Sequence, residues 1–109
     1  LKCPIYSFEL DKRAPSIELY PLDDVISELS CGYLNNTIAY AIAFAALNNV
    51  GKINMFGADF SYTTNVHFGE MGRACCDFWL SKCMSKGIDI SIAATSSMLD
   101  TNVSEKEKL

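Results

Sequence analysis

Apolar and polar positions change period several times along the chain, and each change marks an element. Between Cys3 and Leu10 the apolar residues Ile5, Tyr6, Phe8 and Leu10 follow Pro4, which predicts an extended segment of edge-strand character. Asp11-Lys12-Arg13-Ala14-Pro15 reads as a turn or short linker. Ser16 to Tyr20 alternates Ile17 and Leu19 with polar neighbours, the period of a short strand. Pro21 stops it and suits the first position of a helix. Leu22, Val25, Ile26 and Leu29 then recur at helical spacing, with Asp23 and Asp24 in the favourable first turn and Cys31-Gly32 at the end.

Asn35, Asn36 and Thr37 are helix-starting residues. From Thr37 to Leu47 the sequence TIAYAIAFAAL has no polar face, so the predicted helix is buried on most sides. Asn48-Asn49-Val50-Gly51 closes it, with Asn or Gly available for a left-handed cap. Lys52 to Phe56 (KINMF) reads as a short apolar strand ended by Gly57-Ala58-Asp59, and residues 60–68 as a loop. Residues 69–86 form the best-defined helix. Glu70, Arg73, Asp77, Ser81 and Ser85 are expected on its polar stripe, and Met71, Ala74, Cys75, Phe78 and Cys83 on the other side. Arg73 and Asp77 are placed to pair at i, i+4, and Gly87 is the expected cap. Ile88 to Ala93 puts Ile88, Ile90 and Ile92 on one face of a strand, followed by a polar Thr95-Ser96-Ser97 turn and a frayed tail or weak helix from Met98.

Strand, helix, strand in that order predicts a parallel crossover. The expected fold is α/β, two- or three-layered, with helices packed on a short, mainly parallel sheet. One domain fills residues 1–109: an N-terminal extension over 1–32, a partial Rossmann-like core over 33–99 and a tail over 100–109. KINMF and IDISIA are expected side by side, delivering their polar exits to one rim.

Composition narrows the classes. With 109 residues, 50% hydrophobic and 20% charged, the chain has material for one core and is not disordered. Net charge is −4 and the basic residues are scattered, which argues against a nucleic-acid partner. The longest apolar run, Ile38 to Leu47, falls well short of the ~20 residues of a membrane span, and no secretory signal is visible. Five cysteines without a CxxC pair, and one histidine, do not make a zinc site. No metal or resident cofactor is expected. Cys75 and Cys83 are expected as reduced core thiols, which points to the cytoplasm. Trp79 is expected in the core or at a dimer contact.

Candidate chemistry collects at the expected rim. Asn35-Asn36-Thr37 heads a helix, where backbone N–H groups and the dipole favour an anion, or where the residues simply cap. Asp59 follows a buried strand and suits a hydroxyl or ribose, a metal, or a turn or cap, although one Asp is not a metal site. His67 lies in a polar loop before a helix; histidine is the side-chain type that exchanges a proton near neutrality, so it is the candidate general base, or else a helix-flanking surface histidine. Tyr62 could donate to a leaving phosphate or pack its loop. The dinucleotide and P-loop glycine fingerprints are absent.

YLNNTIAY at Tyr33 to Tyr40, Gly57-Ala58-Asp59-Phe60, and the final helix–Gly–strand–turn running to TSSML resemble, in order and spacing, the Rossmann-like superfamily of bacterial sialyltransferases, motility accessory factors and hydroxymethylpterin pyrophosphokinase-like proteins. The resemblance covers Tyr33 to Leu99 and is nearest to an uncharacterised phage and environmental branch. It implies that Asn35-Asn36-Thr37 stands where the sialyltransferases have T-S-G against the nucleotide, that Gly57-Ala58-Asp59-Phe60 matches a G-x-D-F strand end, that His67 holds the place of the lid histidine that serves as base, and that Ala94-Thr95-Ser96-Ser97 corresponds to C-P-N-S. The implied ligand-binding set is Asn35, Asn36, Thr37, Gly57, Tyr62, Ser96 and Ser97, with His67 and Asp59 catalytic and a nucleotide or nucleotide sugar as donor. The resemblance also implies the C-terminal half of such a domain, a fragment of a longer frame. Two other functions stay open: a non-catalytic, homo-oligomerising or partner-binding module, and magnesium-dependent pyrophosphate transfer, for which Asp59 alone is a thin carboxylate set.

Overall fold

The computed structural model describes residues 4–58, 60, 65–93 and 98–100. Two compact units divide the chain, Leu1–Cys31 and Gly32–Leu109.

In the first unit, β1 (Ile5–Ser7) pairs in parallel with β2 (Ile17–Leu19), in the register Ile5↔Ile17, Tyr6↔Glu18 and Ser7↔Leu19. Two parallel strands this close in sequence need a tightly folded connection. Asp11 supplies it: its carboxylate accepts the Arg13 backbone N–H at 2.9 Å and the guanidinium at 2.8 Å, and its carbonyl accepts from Ala14 N at 3.0 Å. The helix α1 (Leu22–Leu29) follows, with Val25 and Leu29 buried. Pro21 lies one position earlier than expected, at the N-cap, where its carbonyl accepts from Val25 N.

In the second unit, α2 (Thr37–Leu47) starts on Asn36, whose side-chain oxygen accepts from Ala39 N at 3.0 Å. It ends at Asn48, and Asn49 takes a left-handed φ of 52°. Its buried residues, Ala39, Ile42, Ala43 and Ala46, form one face; Ala41 is exposed and Tyr40 and Phe44 are half-buried. The uniform apolarity of the segment therefore overstated its burial.

The strands β3 (Lys52–Met55) and β4 (Asp89–Ile92) are parallel neighbours, with Lys52↔Asp89, Ile53↔Ile90, Asn54↔Ser91 and Met55↔Ile92 in register. Each stops short of its expected span; Phe56 is 78% exposed. Lys52, Asn54, Asp89 and Ser91 are exposed, while Met55 is buried and Ile53, Ile90 and Ile92 are half-buried. Side chains alternate across a strand, so the sheet has one polar and one apolar face. Parallel sheets covered on both faces read as continuous apolar runs; this pair, apolar on one face only, is the two-layer case. The architecture is α/β, with two two-stranded parallel sheets among the described residues.

The longest helix, α3 (Val66–Ser85), begins earlier than residue 69 because Asn65 caps it, its Oδ1 accepting from Phe68 N at 3.3 Å. Gly87 (φ 86°) follows its end as expected. Its buried face is Gly69, Gly72, Cys75, Cys76, Trp79, Leu80 and Cys83. Cys75 and Cys83 are on it as expected, but Met71, Ala74 and Phe78 are exposed. Apolarity alone misassigned them. The buried face is built largely of small residues, and it meets α2, whose buried face is mostly alanine; small side chains on both helices permit close approach. The expected Arg73–Asp77 pair is also corrected. Arg73 Nη2 lies 3.1 Å from Glu70 Oε2, while the Asp77 carboxylate accepts from Leu99 N at 3.0 Å and ties down the single turn Met98–Asp100.

Candidate functional site

The N-terminus of α2 is fastened to the middle of α3 by two asparagines. Asn35 Nδ2 donates to the Met71 carbonyl at 3.2 Å, and Asn36 Nδ2 donates to the Gly72 carbonyl at 3.4 Å and to Asn35 Oδ1 at 2.7 Å. Asn36 Oδ1 also takes the Cys76 thiol, with 3.3 Å between sulfur and oxygen. A single side chain thus caps one helix and ties it to another. Below this knot, Trp79 Nε1 donates to the Tyr33 carbonyl at 2.6 Å, and Cys75 Sγ reaches the same oxygen at 3.4 Å.

Beside the knot is a cavity of about 360 Å³, lined by Asn35 to Ile38, Phe60, Phe68, Met71 and Gly72. That volume lies in the lower range of small-molecule sites, which are mostly apolar with a few placed polar groups. Thr37 and Ile38 are among the lining residues; their amides precede the first intrahelical hydrogen bond of α2 and carry the positive end of the helix dipole. Phe60, Phe68, Met71 and Ile38 supply the apolar wall.

The structure thus brings Asn35, Asn36 and Thr37 together with five residues outside the expected ligand-binding set: Ile38, Phe60, Phe68, Met71 and Gly72. Gly57 sits just beyond β3 with φ 71°, outside the lining. His67 lies in the first turn of α3, exposed and outside the lining, although its neighbour Phe68 is within it. Asp59, Tyr62, Ser96 and Ser97 lie outside the described residues. The signal that was legible for the missed wall was Gly72 itself, a glycine in the interior of a helix, where it costs about 1 kcal/mol relative to alanine and so asks for a packing reason.

Burial pushes the Cys76 thiol up to about 11; the hydrogen bond to Asn36 works against the shift, and Cys75 and Asp77 add to it. Burial also raises Cys83, with Lys86 opposing. These are thiols held in their neutral form, the opposite of what a nucleophile needs. Among the described residues no group of three or more His, Cys, Asp or Glu side chains is placed to hold a metal ion, and no helix is long and apolar enough to cross a membrane. No family model, curated protein or solved structure matches the chain.

Proposed function

We propose that this chain is the ligand-binding portion of a Rossmann-like transferase, and that the cavity at the head of α2 receives a nucleotide or nucleotide sugar. The observation that carries the reading is the composition of one concave surface: Asn35 to Thr37, at the head of α2, beside an apolar wall of Ile38, Phe60, Phe68 and Met71. Amides at a helix head suit a phosphate; an apolar wall suits a ring. Asp59 would hold a sugar hydroxyl and His67 would take the acceptor proton. Calorimetric titration with CMP, UDP and ATP tests it. Saturable binding of one of them at millimolar concentration or below is expected; no heat from any of them removes the reading.

A second reading, a homo-oligomerising or partner-binding module, is favoured by a different observation. Met71, Phe78 and Met84 are exposed on α3, and Phe56 lies exposed beyond β3. Of these, Met71 and Phe78 stand seven residues apart on one face of α3, and exposed apolar side chains that share a face mark interaction surfaces. Light scattering separates the two readings: a monomer at high concentration that still binds nucleotide leaves only the first.

A further inference from the structure

Gly72 is buried in the interior of α3, and a Cβ placed there would stand 2.7 Å from Phe60 Cε1 and 3.0 Å from Phe60 Cδ1. The ring of Phe60 therefore occupies the place a side chain at residue 72 would take. Phe60 is itself held at φ 54°, a left-handed conformation that a bulky residue adopts only under constraint. Strained backbone of this kind persists where the surroundings over-determine it, and it clusters at ligand clamps. Both residues line the cavity, with Phe68 and Met71 completing the same apolar wall.

We propose that Phe60, seated on Gly72, is the specificity-determining wall of this cavity and receives the planar ring of the ligand, a pyrimidine or purine base on the reading given above, on which this inference rests. Aromatic rings prefer offset-stacked or edge-to-face partners, and a thioether adapts to a ring edge. A methyl group at residue 72 displaces the Phe60 ring and so changes the size of the seat without touching Asn35 to Thr37.

The experiment titrates the parent chain and the variants Gly72→Ala, Phe60→Ala and Phe60→Ala/Gly72→Ala with CMP, with ribose 5-phosphate and with indole, after checking that each variant melts within about 5 °C of the parent. Phe60→Leu, which alters the wall without placing a Cβ at residue 72, serves in place of Gly72→Ala if the latter does not fold. The expected result is a tenfold or greater loss of affinity for CMP and indole in Gly72→Ala, no change for ribose 5-phosphate, and no further loss when Gly72→Ala is added to Phe60→Ala. Equal CMP affinity in parent and Gly72→Ala overturns this inference while leaving the nucleotide reading standing. Indole binding that Gly72→Ala weakens, with no CMP binding, upholds the ring seat and removes the nucleotide reading. No binding by any ligand overturns both.

Discussion

The indole N–H of Trp79 donates to the backbone carbonyl of Tyr33 at 2.6 Å. The indole is fully buried in α3, and the carbonyl belongs to the segment that leads into α2, so this bond holds that segment against α3. Edge-to-face contacts of Phe78 with Tyr33 and with Trp79, both at 5.6 Å between ring centres, surround it. Trp79→Phe keeps most of the apolar volume and removes the donor. It is expected to destabilise the chain by about 2 kcal/mol, since a part-buried carbonyl loses its indole partner. Trp79→Ala, which also opens a cavity, is expected to cost about 3–5 kcal/mol. Urea denaturation of both variants measures the difference.

Asn36 combines two roles that substitution can separate. Asn36→Ala removes the cap, worth about 1 kcal/mol, and the bridge to the Gly72 carbonyl, worth about 1 kcal/mol more. Asn36→Ser restores a capping oxygen and not the reach to α3. The expected order of stability is parent, Asn36→Ser, Asn36→Ala, with the serine variant near the middle by chemical denaturation.

Lys86 closes the other end of α2, where its ammonium donates to the Ala46 carbonyl at 2.7 Å. A cation at a helix C-terminus is stabilising. Lys86→Met is expected to lower stability by about 1 kcal/mol, and Lys86→Arg to recover part of it, as read from the urea midpoint.

The buried thiols make stability fall on the alkaline side. Cys76 holds its proton up to about 11 in the folded chain against an ordinary value of 9.0, so between these values the unfolded chain binds fewer protons than the folded one. The contribution is complete below pH 9 and is lost as the pH rises through 11; Cys83, also raised, acts in the same sense. The measurement is the pH dependence of the urea midpoint from 8 to 11: a decline in the parent that is shallower in Cys76→Ala. At pH 8 a thiol reagent is expected to modify the half-buried Cys31 ahead of the buried Cys75, Cys76 and Cys83.

Helix and strand order was legible because it depends on local period. Residues 37–47 match α2 end to end, and the parallel pairing of β3 with β4 follows from the helix between them. What was not legible depended on contacts distant in sequence. Met71 and Phe78 look like core by apolarity, yet α3 buries glycine and cysteine because the alanine face of α2 packs there. Asn35 and Asn36 read as helix starters or an anion site; their bonds to Met71 and Gly72 span 36 residues, and no local pattern reports such a bond. Phe60 joined the cavity wall for the same reason, through a glycine distant in sequence.

If the head of α2 and the Phe60–Gly72 wall form one ligand site, titrating the isotopically labelled chain with CMP moves the backbone amide resonances of that site. Saturable shifts concentrated at Thr37, Ile38, Phe60 and residues 68–72 are expected. An unchanged spectrum at millimolar CMP, or shifts confined to residues remote from these, contradicts it.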